Sequence, residues 1–381
     1  MPNARKKVLF VSRWYPDRHD PMPGLFVRRH AEAVNLFADV TVLYVTADET
    51  LRSGRVFREE SIHGSIREHR IYFGKSSIGL INAWRFVKHY LQAVNSMDAP
   101  DLVHIHVLSR TAIPALWLKY TRKTPYIITE HWSRYLPQNV ATGAYRGWLR
   151  KWFTKLAVRN ADCVTTVTKN LANAMQTLGL KNKYAVTPNV ADCGLFHPEE
   201  NNKQKEFDFI HVSCFDEPAK NIKGIVDAFE QYVRLGMKGN LTIIGDGPDY
   251  NAVFAYAETT KLVGTRISFT GLMEGEQLAS RMRQADALVM FSNYENLPCT
   301  IVESLCCGVP VISTDVGGIS EFVNHTNGLL IQPRDVSGLV NAMMELASGG
   351  FATQKQEIAA YGSLHFSMES ISNNFKQLYG F

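Results

Sequence analysis

The feature that most constrains this chain is a rhythm that runs through it twice. Short β-branched runs alternate with longer stretches of helical periodicity. In the first half the runs fall at 8–12, 40–45, 65–71, 101–106, 126–130, 163–167 and 184–186, with helical stretches such as 27–36, 82–95 and 144–159 between them. In the second half they fall at 209–213, 241–245, 267–270, 288–291, 311–313 and 329–331, with helical stretches at 222–235, 277–284, 299–307 and 336–347. Alternation of this kind predicts parallel sheets covered by helices on both faces. The chain is therefore read as α/β, with two Rossmann-like, doubly wound parallel-sheet domains facing across a cleft. At roughly 150 residues per domain, 381 residues accommodate both. Residues 188–206, PNVADCGLFHPEENNKQKE, mix Pro, Asn, Gly and charge without periodicity, which is linker composition. The expected division is an N-terminal domain at 1–190, a linker at 191–206 and a C-terminal domain at 207–365. A tail at 366–381 is expected to form a helix that packs back on the N-terminal domain.

Charge divides at the same place. Residues 1–190 hold 28 Lys and Arg against 13 Asp and Glu, while residues 191–381 hold 13 against 23. A basic half joined to an acidic half points to an anionic partner for the first. No nucleic-acid-binding motif accompanies the charge, so nucleic acid is not expected. The basic residues concentrate at 145–160, YRGWLRKWFTKLAVRN, where Trp148, Leu149, Trp152, Phe153, Leu156 and Ala157 recur at helical spacing among five cations. Such a helix fits either an anionic membrane interface or an apolar stripe packed on the core. No apolar run approaches the roughly 18 residues of a membrane-spanning helix. The first apolar stretch, four residues, is shorter than the roughly 7–15 of a signal peptide. Six cysteines without CxxC spacing read as reduced thiols. The expected location is cytoplasmic, with peripheral contact at the inner membrane face as a further option.

Several chemistries are disfavoured by what is missing. No GxGxxG follows the first strand, which removes the main support for a nicotinamide or flavin enzyme. Gly74-Lys75-Ser76 lacks the earlier glycine of a phosphate loop, since His69 stands there. No Asp-x-Asp pair, HExxH or Cys/His cluster suggests a bound metal, so neither cofactor nor metal is expected.

The most informative stretch is 292–318, SNYENLPCTIVESLCCGVPVISTDVGG. A strand ends in a polar loop carrying Glu295. Pro298 suits the first turn of a helix, where its missing N–H costs nothing, and Glu303 follows in the second turn. Carboxylates accept hydrogen bonds from sugar hydroxyls, and a free helix start favours phosphate oxygens. Taken alone, Glu303 could equally face solvent and Glu295 could be a loop carboxylate. His131 follows the run at 126–130 and reads alone as well as a structural histidine. His104 and His106 share one strand face, and His106 lies nearer the tip. Glu130 should point away from His131 and has no assigned role.

The two glutamates with seven residues between them, followed by CCGVPVISTDVGG, resemble the E-x7-E, GxPV and GG signature of retaining glycosyltransferases of family 4, group 1, which have the GT-B fold. GDGP at 245–248, SFTG at 268–271, PN at 188–189 and EFV at 321–323 follow in the family's order, so the resemblance spans nearly the whole chain. It implies that Glu303 binds the donor ribose and Glu295 the donor sugar hydroxyls. It also implies that the turn Asn296-Leu297-Pro298 offers main-chain groups to sugar and phosphate. Members often have glycine where Pro298 stands, and proline has no N–H to give. CFDEPAKNIKGI at 214–225 resembles the diphosphate loop. Lys220 matches its lysine, but Cys214 stands where an arginine is usual, and Lys223 is a nearby cation. Gly24 resembles the glycine that lets backbone approach the donor phosphates, and His131 the histidine that places the donor sugar.

The resemblance implies a metal-independent hexosyltransferase that moves a sugar from a nucleotide-diphosphate donor, a UDP-sugar on family frequency, to a hydroxyl of a glycan or lipid-linked acceptor. Synthesis of cell-surface polysaccharide or glycolipid is the expected setting. A non-hydrolysing sugar-nucleotide epimerase and an inactive sugar-nucleotide-binding scaffold are the alternatives, with Cys214 the feature favouring the latter.

Overall fold

The structure is a computed structural model that describes residues 5–199 and 206–380. Residues 200–205 of the expected linker lie outside the described residues, as do the ends of the chain, 1–4 and 381, which fall in the expected N-terminal domain and tail. The chain divides into two compact units, Met1–Pro188 with Ile371–Phe381, and Asn189–Ser370.

The first unit is built on eight strands: β1 (Lys7–Ser12), β2 (Asp39–Asp48), β3 (Val56–His63), β4 (Ile66–Gly74), β5 (Leu102–His106), β6 (Tyr126–Glu130), β7 (Cys163–Thr166) and β8 (Tyr184–Val186). Their order across the sheet is β3-β4-β2-β1-β5-β6-β7-β8. Val8, Leu9, Phe10 and Val11 of β1 are all buried. That continuous apolar run is what a parallel strand covered on both faces requires. The parallel expectation fails at one edge, where β3 pairs antiparallel with β4 from Val56↔Phe73 to His63↔Ile66. Its sequence, VFREESIH, is mostly exposed, so it lacks the buried apolar run by which the other strands are recognised. Its signal is the turn at Gly64, whose φ is +61°. One side of this sheet is covered by the helices Gly79–Ser96, Ala112–Arg122 and Trp148–Asn160 over a core that includes Leu9, Val11, Tyr90, Ala115 and Tyr126. Helix Leu25–Asn35 and Phe375 and Tyr379 of the C-terminal helix Met368–Tyr379 belong to the other side, where both aromatics contact His104.

The helix expected at 144–159 begins only at Trp148, because Gly147 takes φ +90° immediately before it. Its apolar stripe also divides. Ala157 is buried and Phe153 and Leu156 pack on the core, whereas Trp148 is 75% exposed, Leu149 60% and Trp152 59%.

The second unit holds β9 (Phe207–Val212), β10 (Gly239–Ile244), β11 (Ile267–Gly271), β12 (Ala287–Met290), β13 (Val311–Thr314) and β14 (Gly328–Ile331). The order is β11-β10-β9-β12-β13-β14 and every pairing is parallel. Helix Ile222–Arg234 buries Ile222, Ile225, Val226, Phe229 and Tyr232 at helical spacing against this sheet, with Leu339 and Met343 of helix Val336–Ala347 in the same core. No helix among the described residues is long and apolar enough to cross a membrane.

Candidate active site

In the second unit the expected residues gather at the carboxyl ends of three neighbouring strands, β9, β12 and β13. The loop after β9 ends in a single helical turn, Glu217–Lys220, and the loop after β12 carries Glu295. Main chain ties the two loops together: Asn293 N donates to Ala219 O at 2.8 Å, and Asn293 Nδ2 to Pro218 O at 3.0 Å. This places the Lys220 ammonium against Glu295 Oε1, to which Ser292 Oγ also donates at 3.0 Å. Burial pulls the Lys220 pKa down, but the adjacent Glu295 carboxylate more than offsets it and the net shift is upward. The ammonium therefore stays charged. Glu303 lies on the helix Cys299–Cys306 and is almost fully buried.

Pro298 is the residue that precedes this helix, with extended backbone, and no side chain caps the first turn. A helix start of this kind directs backbone N–H groups and the positive end of its dipole outward, which favours anionic oxygen. The turn before it is engaged within the protein through its carbonyls. Asn296 O accepts from Gly318 N at 3.2 Å and Leu297 O from Asn189 Nδ2 at 2.8 Å. Gly317 has φ +61°, and a Cβ on it would stand 2.0 Å from Glu295 O. Glycine is required there because the β13 loop presses directly on the backbone of Glu295. Cys214 is exposed at the end of β9. Lys223 does not replace the missing arginine, since its ammonium sits 5.3 Å from the Tyr256 ring centre. Arg334, beyond β14, reaches the loop that carries Glu295: its Nε donates to Asn293 Oδ1 at 3.2 Å.

In the first unit, β1, β5 and β6 are adjacent and their carboxyl ends converge. The registers Ser12↔His106 and His106↔Thr129 place His106 beside the start of both following loops. His131 follows β6, and its Nε2 lies 3.2 Å from His106 Nδ1. The buried Glu130 carboxylate accepts from the backbone amides of His131 at 3.0 Å, Trp132 at 2.9 Å and Leu108 at 3.1 Å. Glu130, to which sequence reasoning gave no role, thus shapes the turn that presents His131. Burial raises its pKa, against the opposing charge of Arg134.

His30, on helix Leu25–Asn35, completes a cluster that sequence reasoning missed. One ring nitrogen from each of His30, His106 and His131 lies within 4.8 Å of the others. His30 Nε2 meets Pro188 O at 2.9 Å and its Nδ1 has no partner. Burial pushes the His30 pKa down to about 4 and drives those of His104 and His106 well below the usual imidazole value. These rings are neutral at pH 7. Three imidazoles this close, His30, His106 and His131, could hold a zinc-type ion, whereas Mg²⁺ takes oxygen ligands. Gly24 precedes helix Leu25–Asn35 with φ +76°, and a Cβ there would stand 2.3 Å from Trp14 O. The chain's own backbone is thus reason enough for glycine. Two residues on, the Phe26 ring centre lies 4.4 Å from that of His131, tilted by 41°, so the start of this helix and His131 share one neighbourhood.

The family model for glycosyl transferases group 1 matches residues 195–363, and the glycosyl transferase 4-like domain matches residues 26–190. This chain is a group 1 glycosyltransferase. A Bacillus subtilis glycosyltransferase provisionally named for teichuronic acid biosynthesis is 25% identical to it over 360 residues, 88% of either chain. The sucrose-phosphate synthase of Thermosynechococcus elongatus superposes with a TM-score of 0.80 at 21% identity, covering 99% of this chain and 98% of that one. HepE of Anabaena, solved with UDP and glucose, superposes with a TM-score of 0.74 at 17% identity, covering 99% of both. These likenesses show the GT-B fold. The expected family and fold therefore hold, with the antiparallel β3 edge as an addition to the parallel sheets.

Proposed function

We propose that this glycosyltransferase is retaining and metal-independent, takes its sugar from a UDP-sugar, and delivers it to a hydroxyl of a glycan or lipid-linked acceptor in the synthesis of cell-surface polysaccharide or glycolipid. The observation that carries the reading is the pairing of Lys220 with Glu295 on the loops that lead to helix Cys299–Cys306. Lys220 and that helix start supply positive potential for a leaving diphosphate. Glu295 accepts hydroxyls of the donor sugar and Glu303 those of the ribose, and the roles read for His131 and Gly24 are those of donor-contacting residues. Support for UDP comes from HepE, whose structures hold UDP, UDP and glucose, and UDP-glucose. Support for a polysaccharide setting comes from the relative named for teichuronic acid biosynthesis.

Retention is read as same-face attack, with the departing phosphate taking the acceptor proton. A double displacement would need Glu295 as a free nucleophile, and its carboxylate is held by Lys220 and Ser292. The lysine takes the place a divalent cation would otherwise fill, in line with a sequence that lacks Asp-x-Asp. The site of action is read as the cytoplasm with peripheral contact at the inner membrane face. Trp148, Leu149 and Trp152 are exposed on a helix that also carries Arg150, Lys151, Lys155 and Arg159. Each cation near an anionic bilayer is worth about 1 kcal/mol.

The test is a donor screen with UDP-, GDP- and ADP-sugars in EDTA, with Glu295→Ala as control. Slow release of UDP by the wild type alone is expected. Release that requires a divalent cation, or turnover that leaves only an isomerised donor, would overturn the reading.

A further inference from the structure

A second group of side chains in the first unit is used by nothing above. Arg13 and Trp14 follow β1, Arg110 follows β5, and Trp132 and Arg134 follow β6, so the three adjacent strands deliver them to the carboxyl end of the sheet. Trp14 and Trp132 are half-buried, with ring centres 5.0 Å apart and their planes at 61°. The Arg13 guanidinium lies 5.0 Å from the Trp132 ring centre and 6.0 Å from that of Trp14, and Arg134 lies 4.5 Å from Trp132. The platform joins the candidate site directly: Trp14 packs 6.4 Å from Phe26, and Phe26 packs 4.4 Å from His131.

The charges here do not balance. Arg134 is buried and has Glu130 at 4.0 Å. Arg13, Arg110 and Arg150 have no ion-pair partner among the described residues. Burial lowers the pKa of Arg13, and so do the charges of Arg134, Arg110 and Arg150, with Glu130 alone opposing them. Guanidiniums seldom crowd without an anion, because their mutual repulsion gains nothing. Arginine forks suit the paired oxygens of carboxylate and phosphate, and an indole face offers apolar area to a flat partner.

We propose that Arg13 and Arg110, with Trp14 and Trp132, form an acceptor subsite for a glycan that carries an anionic group, a carboxylate or a phosphate, close to its accepting hydroxyl. The pyranose ring packs on the indoles, and the anionic oxygens meet the guanidiniums. This inference rests on the transferase reading and narrows its acceptor from any glycan to an acidic one.

The experiment titrates the protein with methyl β-D-glucopyranoside, methyl β-D-glucuronide, methyl glucoside 6-phosphate and inorganic phosphate, following tryptophan fluorescence. UDP-glucose binding is measured in parallel by calorimetry. At least one acidic glycoside is expected to bind about tenfold or more tighter than the neutral one, the size of a charge-assisted contact. Binding of the glucuronide alone identifies a uronic acid, and binding of the phosphate ester alone a phosphosugar. Arg13→Gln and Arg110→Gln should each remove that preference, whereas Arg122→Gln, at the far end of helix Ala112–Arg122, should keep it. Equal affinity for neutral and acidic glycosides overturns the subsite, and so does a preference that survives both substitutions. Inorganic phosphate binding as tightly as the sugar phosphate overturns the glycan half of it. Absence of UDP-glucose binding alone strikes the UDP-sugar donor reading and leaves the anion preference to be read separately.

Discussion

The two units bring their candidate residues to the carboxyl ends of parallel strands and then treat charge in opposite ways. In the second unit the groups stay charged and are held by pairing, with Lys220 against Glu295 and Ser292 on the same carboxylate. In the first unit the imidazoles of His104 and His106 are kept neutral by burial, packed around Phe10 and against one another. The difference follows from what surrounds them. Lys220 and Glu295 lie on loops tied by main-chain hydrogen bonds, where a counter-charge is within reach. His104 and His106 sit inside a strand whose faces are sealed, where desolvation penalises a proton. The Lys220–Glu295 pair is thus suited to meeting a charged leaving group, and the buried imidazoles to placing neutral donors and acceptors of hydrogen bonds.

The comparison breaks most visibly at the pair. Lys220→Ala should lower kcat by about 10²–10³, the cost of removing one preorganised positive group. A loss no larger than that of an ordinary surface lysine would show that the pair is structural. His131→Ala should lower kcat by about 10², as expected when a positioning contact is lost. Its neighbour His106→Ala should cost less, through misplacement of His131. Equal losses would mean that His106 itself touches the substrate.

Glycine substitutions compare the two backbones. Gly317→Ala and Gly24→Ala each put a Cβ within 2.3 Å of main-chain carbonyl oxygen at positive φ. Each should destabilise its own unit by roughly 1–3 kcal/mol, read as faster amide exchange in β13 for the first and β1 for the second. Exchange that speeds up equally in both units would erase the distinction.

Acid should separate the units as well. A histidine buried neutral has a folded pKa below its unfolded one, so the unfolded chain takes the proton first. The stability it contributes is full above the unfolded value near 6.5 and is lost as pH falls toward the folded value. His30, at about 4, and His104 and His106, also shifted down, act this way in the first unit. His211, also at about 4, acts this way in the second. Each costs about 1.4 kcal/mol per pH unit in that window. Amide exchange in β5 should therefore accelerate more than in β9 between pH 6.5 and pH 5. The smallest effect expected is that of EDTA, which should leave turnover unchanged. A loss restored by Zn²⁺ would assign a metal to the histidine trio.

Much of this was legible in the sequence. Buried parallel strands must be written as apolar runs, so every strand but β3, and the alternation with helices, could be read from periodicity. The E-x7-E spacing, the GG and the PN announced the family because each sits at a loop whose backbone has little freedom. Asn189 of PN holds Leu297 O, and Gly317 of GG packs on Glu295. Strand β3 escaped because an exposed edge strand needs no apolar pattern. His30, Arg334 and the Arg13–Trp132 group escaped for a different reason. Each lies far in sequence from the residue it serves, and only the strand order of the two sheets brings them together. The sequence determined which elements form and which chemistry the loops carry, since burial and loop geometry act locally. The tertiary structure decided which charges are paired and which are desolvated, because both depend on neighbours that the chain supplies from a distance.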